Sequence, residues 1–255
     1  MNNFFFGIYP YIALSVLIIG SIARYERDPF SWKSSSSQLL RRRQLRIGSV
    51  LFHVGILTIF FGHLVGLFAP LPLLHALGIS HEFKQILAMV VGGLAGIAAL
   101  IGGGMLFHRR WTDPRIRKTS SVADIGILVL ILIQLVFGLS TIVSSAQHLD
   151  GKEMVKFMLW AQGVVTFQPD VAARIADTPL IFKLHIVLGL TIFLLFPFTR
   201  LVHMLSVPLR YFWRPGYQIV RSRRTQPLPQ HSDAELNQAR LTAARRAAAQ
   251  PTAAE

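Results

Sequence analysis

Five apolar stretches, each long enough to cross a bilayer as a helix, divide this chain: residues 4–23, 48–68, 86–107, 123–143 and 181–205. A helix needs about 20 predominantly apolar residues to cover the hydrocarbon core. Lipid admits only helices and closed barrels, and nothing here alternates in the manner of barrel strands. The expected fold is therefore all-α, a polytopic membrane bundle of five transmembrane helices. The fifth stretch is the least regular, because it begins near Lys183, contains Arg200 and carries Pro197, which predicts a bend.

A net charge of +14 with a pI near 11.2 would suggest a nucleic-acid partner in a soluble protein. Its placement argues against that. Segment 24–47 holds seven Lys/Arg, 69–85 holds only Lys84, 108–122 holds five, 144–180 three and the chain after 205 eight. This alternation follows the positive-inside rule for five spans. It places the N-terminus outside and the 24–47 loop, the 108–122 loop and the C-terminus in the cytoplasm. The expected location is the cytoplasmic (inner) membrane, multi-pass, with lipid and no nucleic acid as partner. The first stretch lacks the basic n-region of a signal peptide, so it is expected to stay as a helix. Residues 1–224 read as one membrane domain and 225–255 as a polar, Ala/Arg-rich cytoplasmic tail, with a helical portion around 233–249. In the 144–180 loop, the spacing of Met154, Phe157, Met158 and Ala161 suits a short interfacial helix.

Histidines occupy the second and fifth stretches: His53 and His63 in SVLFHVGILTIFFGHLVGLF, His185 and His203 in LIFKLHIVLGLTIFLLFPFTRLVH. Polar side chains at membrane depth are costly and usually face a partner inside the bundle. Ten residues separate the first pair, about 15 Å along a helix. Eighteen separate the second, five full turns, which keeps them on one face of an ideal helix. The two helices run antiparallel, so His53 is expected to meet His203 near the cytoplasm and His63 to meet His185 near the outside. A single histidine in such a helix is more often a hydrogen-bonded core residue. Four at matched depths favour metal or haem ligation, and two distant pairs suit bis-histidine haem better than four-ligand zinc. A chain without cysteine holds no thiolate-bound haem or iron–sulfur cluster. Electrons leaving it must pass to another subunit or carrier. Gly48, Gly55, Gly62 and Gly66 form a stripe on the second helix that admits either a flat macrocycle or a neighbouring helix. His75, His81, His108, His148 and His231 lie at ends or in loops and read as solvated or interfacial.

The segments LFHVGILTIFFGHLVG, SAQHLDG and HIVLGLTIFLLFPFTRLVH, with YPYIA near the start and PRIRKTSSVADI before the fourth stretch, resemble the gamma subunit of membrane-bound respiratory nitrate reductase, a dihaem cytochrome b. The resemblance covers roughly residues 1–222. It implies that His53 and His203 bind the iron of the inner haem b, and His63 and His185 that of the outer one. It further implies an iron–sulfur beta subunit and a molybdenum catalytic alpha subunit as partners. Quinol would be oxidised near the outer haem, with Lys84 and Gly62 at its site and no catalytic residue for nitrate on this chain. On residues alone, Lys84 is also suited to snorkel to the interface, and Arg109, Arg110 and Arg200 either to hold inner-haem propionates or to snorkel. Two other functions fit the same residues: a dihaem quinol-oxidising subunit of a different reductase, and a proton-coupled transporter using intramembrane histidines as relays.

Overall fold

The computed structural model describes residues 1–32 and 40–206, with residues 237, 238, 240–243 and 245 beyond them. A π-helical turn, Phe4–Ile8, leads into α1 (Tyr9–Arg27). There follow α2 (Arg42–Phe68), the short α3 (Leu71–Ala76), α4 (His81–Thr112), the short α5 (Pro114–Lys118), α6 (Val122–Ser145), α7 (Lys152–Val165) and α8 (Leu180–Leu195). Five helical spans are long and apolar enough to cross a membrane: Phe4–Arg27, Arg42–Phe68, His81–Thr112, Val122–Ser145 and Leu180–Phe198. Helix boundaries reach past the apolar stretches where capping chemistry permits. Ser80 accepts the Phe83 N–H and starts α4 five residues before its apolar run, and Ser121 with Asp124 forms a capping box at α6. Asp113 caps α5 by accepting from Arg115 and Ile116.

The spans pack in the order α2, α4, α6, α8, α1. The closest approach is between α2 and α4 and is made of small residues. A methyl added at Gly55 would lie 2.5 Å from the Ala95 carbonyl and 2.7 Å from the Ala99 nitrogen. Gly48 and Gly102 fit against each other in the same way. Without a hydrophobic drive between helices in lipid, such backbone proximity is what gives dispersion contacts their strength. Two of the four glycines of the α2 stripe therefore serve helix packing. The other two, Gly62 and Gly66, face open space.

Two buried clusters organise the interior. Ala99, Ile127, Ile131 and Leu135, with Phe52, Ile56 and Ile59 of α2 and Ile192 and Leu201, fill the middle. Phe6, Trp160, Ala161, Val164, Val171, Ala172 and Ile175 seal one end, where α7 lies as the expected short helix. Polar groups fasten this cap. Trp160 Nε1 donates to the Phe6 carbonyl at 2.9 Å, and Gln162 Nε2 donates to the Leu67 carbonyl at 3.0 Å at the α2 C-terminus. Lys156 donates to Asp177 and Glu153, which hold its ammonium above its usual range, while Lys156 holds the Asp177 carboxyl below the usual carboxylate range.

Gln85, buried in α4, uses its whole amide: Nε2 donates to the carbonyls of Ser145 (3.1 Å) and His148 (2.8 Å), and Oε1 accepts the Gly151 N–H at 2.7 Å. Gly151 has a positive φ of 71°, and a methyl there would press on His81 at 2.6 Å, so only glycine suits this turn. A Gln85→Leu variant removes all three bonds and leaves the buried Gly151 N–H without its acceptor, and we expect it to lower stability by about 1–3 kcal/mol, read as a lower thermal midpoint in detergent.

The fifth span turns at Pro197, as expected, but the helix ends there rather than bending. A continuous helix over 181–205 would have put His185 and His203 on one face by periodicity alone. Instead α8 ends at Leu195, Phe196–Phe198 form a 3₁₀ turn, Thr199 is extended (φ −118°, ψ 180°), and a second 3₁₀ segment runs Arg200–Ser206. Pro197 is the cause, since it lacks an N–H and its ring crowds the preceding turn. The chain divides into compact units at Val207/Pro208. The described residues between 237 and 245 are helical, within the portion expected to be so. The expected domain boundary at 224/225, and His231, lie outside the described residues.

Candidate functional site

Helix α2 brings two histidines to the side where α8 and its 3₁₀ extension stand opposite. His53 faces His203 with ring centres 6.2 Å apart and planes at 73°. His63 faces His185, also at 6.2 Å, with planes at 39°. Along α2 the two levels are about 15 Å apart, separated by the apolar layer that includes Phe52, Ile56 and Ile59. Helices α2 and α8 are not close-packed neighbours, so the rings meet across a gap rather than across a helix contact.

The ring nitrogens have distinct jobs. His53 Nδ1 donates to the Ser49 carbonyl at 2.7 Å, and His63 Nδ1 donates to the Ile59 carbonyl at 2.8 Å, each one helical turn back. His203 Nδ1 donates to the Arg200 carbonyl. An Nδ1–H committed to a carbonyl leaves Nε2 as a lone pair, the tautomer a metal ligand needs. His185 differs. Its Nδ1 is buried with no hydrogen-bond partner among the described residues. Its ring packs against Gly138, where an added methyl would sit 3.0 Å from Cε1.

Four imidazoles in two pairs suit a particular kind of ion. Metal–imidazole bonds of about 2 Å on opposite sides of one ion hold the ring centres about 6 Å apart. Both pairs have that spacing. Among the described residues no group of three or more His, Cys, Asp or Glu is gathered to hold a metal. Paired axial imidazoles with no further protein ligand match an iron whose remaining ligands come from a macrocycle. The residues present fit two bis-histidine haems.

Lys84, in the first turn of α4, reaches toward the His63 level: Nζ donates to the Gly66 carbonyl at 2.8 Å and to Met158 Sδ at 3.1 Å. It is turned into the protein rather than outward. Gly62 lies beside His63 with nothing within 4 Å of where a side chain would begin. The arginines offered as propionate partners have protein contacts: Arg109 is buried and donates to the Leu40 carbonyl, Arg110 donates to Ser120 Oγ, and Arg200 pairs with Asp124 at 3.6 Å. His108 Nδ1 is 3.3 Å from Gln44 Nε2, and the His148 carbonyl serves the Gln85 clamp.

Sequence reasoning passed over Gln134 of α6. Its Nε2 donates to the His185 carbonyl at 3.0 Å and lies 3.4 Å from His185 Nε2. It is the one polar side chain in the stretch 127–139, a signal at membrane depth equal to that of the histidines. Gly138, one turn on, carried no such signal.

The model of a family described as nitrate reductase gamma subunit matches residues 2–223. The chain is 51% identical over 224 residues to the respiratory nitrate reductase 2 gamma chain of Escherichia coli (strain K12), covering 88% of this chain and 98% of that one. It is 49% identical to the respiratory nitrate reductase 1 gamma chain of the same organism, with the same coverage. The nitrate reductase gamma chain of Bacillus subtilis (strain 168) is 42% identical over 85% of this chain and 96% of its own length.

Proposed function

Since the chain belongs to the nitrate reductase gamma-subunit family, and is thus a membrane subunit of an enzyme complex, we propose that it is the dihaem cytochrome b that oxidises quinol for that complex. The observation that carries this reading is the matched 6.2 Å spacing of two histidine pairs at two levels of the bundle. His53 and His203 would hold one haem b, and His63 and His185 the other. When bound, these groups supply one-electron carriers linking quinol on one side to an iron–sulfur beta subunit, and through it a molybdenum alpha subunit, on the other.

The residues of this chain do the rest. Charge asymmetry supports an orientation with the N-terminus and α7 outside and the basic loops at the cytoplasmic face of the inner membrane. The His63–His185 pair is then the outer one. Quinol enters beside Gly62 and Gly66, whose missing side chains leave room for a flat ring. Lys84 exchanges its bond to the Gly66 carbonyl for one to a quinol oxygen, orienting the ring at the His63 level. The cap made by α7 keeps this end of the bundle sealed, and the protons released leave on the outer side. The Ser49, Ile59 and Arg200 carbonyls hold three of the four histidines in the ligating tautomer before any haem arrives.

The test is a haem and metal count on the purified complex with a quinol added. Two b haems per gamma chain, both reduced by quinol, together with molybdenum and iron in the co-purifying subunits, is the expected result. A chain devoid of b haem would overturn the proposal. Within this reading, Lys84→Met should raise KM for quinol about tenfold or more while both haem spectra persist, the loss expected for one charge-assisted hydrogen bond.

A further inference from the structure

The break after α8 leaves a question of aim. His203 is not joined to α8 by continuous helix, so its bearing on His53 depends on what holds the extended backbone at Thr199. Three groups do so. Thr199 Oγ1 accepts the Leu201 N–H at 3.3 Å and starts the next turn. Arg200 pairs with Asp124 of α6. The third group comes from α1. Arg24 Nη1 donates to the carbonyls of both Pro197 (2.7 Å) and Thr199 (2.8 Å), which the helix break deprives of intrahelical donors. The far side of the same guanidinium is pinned by Ser31, through Nε to its Oγ and Nη2 to its carbonyl, both at 3.1 Å. One turn earlier on the same face of α1, Gly20 makes room for the proline: a methyl there would lie 2.8 Å from Pro197 Cγ.

We propose that Gly20 and Arg24 form a seat for the Pro197–Thr199 break that sets the direction in which His203 faces His53, and through it how well that pair would hold its haem. These are positioning residues, acting through His203 and touching no substrate. The inference rests on the dihaem reading above. Nη1 serves both carbonyls while Nε and Nη2 of the same plane hold Ser31, four bonds at once that a lysine ammonium with three donors does not supply. The seat acts at the other level from the His63–His185 pair: Gly20 packs on Pro197, and Arg24 bonds Pro197, Thr199 and Ser31. Its removal therefore predicts damage at one haem only.

The experiment uses the whole complex with Arg24→Gln, Gly20→Ala and Arg24→Lys. It measures haem per chain, the midpoint potential of each haem and its low-spin spectroscopic signature, with the His63–His185 haem as internal standard for folded chain. Arg24→Gln should lower occupancy of the His53–His203 haem several-fold, or shift its potential and signature, with the other haem unchanged. Gly20→Ala, which keeps the arginine and displaces the proline, should move the same haem in the same way, and Arg24→Lys should recover part of the loss. Wild-type stoichiometry, potentials and signatures in both Arg24→Gln and Gly20→Ala would overturn the seat. Equal loss of both haems would also overturn it, by reducing Gly20 and Arg24 to general stability. An unsubstituted complex lacking two haems overturns the dihaem reading and this inference with it.

Discussion

A His63→Ala chain is expected to retain one b haem and to lose quinol-dependent nitrate reduction by about two orders of magnitude or more. Disturbing a group that merely supports a metal ligand already costs about 10–100-fold, and here the ligand itself goes. His185 stays in place but faces empty space instead of a partner ring 6.2 Å away. The His53–His203 pair, about 15 Å off along α2 and beyond an apolar layer, keeps its geometry. Two measurements check this. Pyridine haemochrome absorbance per chain should fall by half. Nitrate reduction driven by a soluble dye that feeds the cytoplasmic subunits directly should persist. A variant that keeps both haems and normal quinol oxidation would contradict the pairing.

Gly102→Val should be the most damaging substitution away from the histidines. Any side chain at Gly102 meets the backbone of α2 at the Phe52 nitrogen and the Gly48 carbonyl (2.7 Å), with Leu51 Cβ at 2.9 Å beside them. Backbone cannot yield as a side-chain tip does, so the two helices must part. Overpacking of this kind costs about 1–3 kcal/mol or more, taken from the closest helix contact in the bundle. Because Phe52 adjoins His53, the His53–His203 level should suffer first. The check is chain accumulation in the membrane and haem content, beside Gly104→Ala. Gly104 lies two residues on in the same helix with open space around it, and that variant should be silent.

Much of this architecture was written locally. Apolar length marked five spans because hydrocarbon tolerates no unsatisfied backbone, and serine and aspartate caps then set where α4, α5 and α6 begin. Spans that run in opposite directions match first with last in depth, so pairing His53 with His203 and His63 with His185 needed only the order of the helices. The short helix of the 144–180 loop was legible from apolar spacing, but the Gln85 clamp and the Gln162 cap that fasten this end were not. Those bonds join residues about sixty to ninety-five positions apart, and nothing in a hydropathy pattern marks which carbonyl a glutamine will find.

The glycine stripe of α2 illustrates the same division. Four glycines with similar surroundings in sequence split into two that admit α4 and two that stay open beside His63. Only the position of the neighbouring helix separates them. The fifth span is the sharper case. Eighteen-residue spacing suggested that helical periodicity aligns His185 with His203, yet Pro197 interrupts the helix between them. His203 reaches its place through a turn held by α1 and α6. Sequence by itself determined how many helices are long and apolar enough to cross and which histidines stand opposite each other, since those follow from transfer free energy and chain direction. The tertiary structure alone decided which way each ring points and which small residues leave room, because a break in a helix hands its orphaned carbonyls to whatever donor the fold brings near.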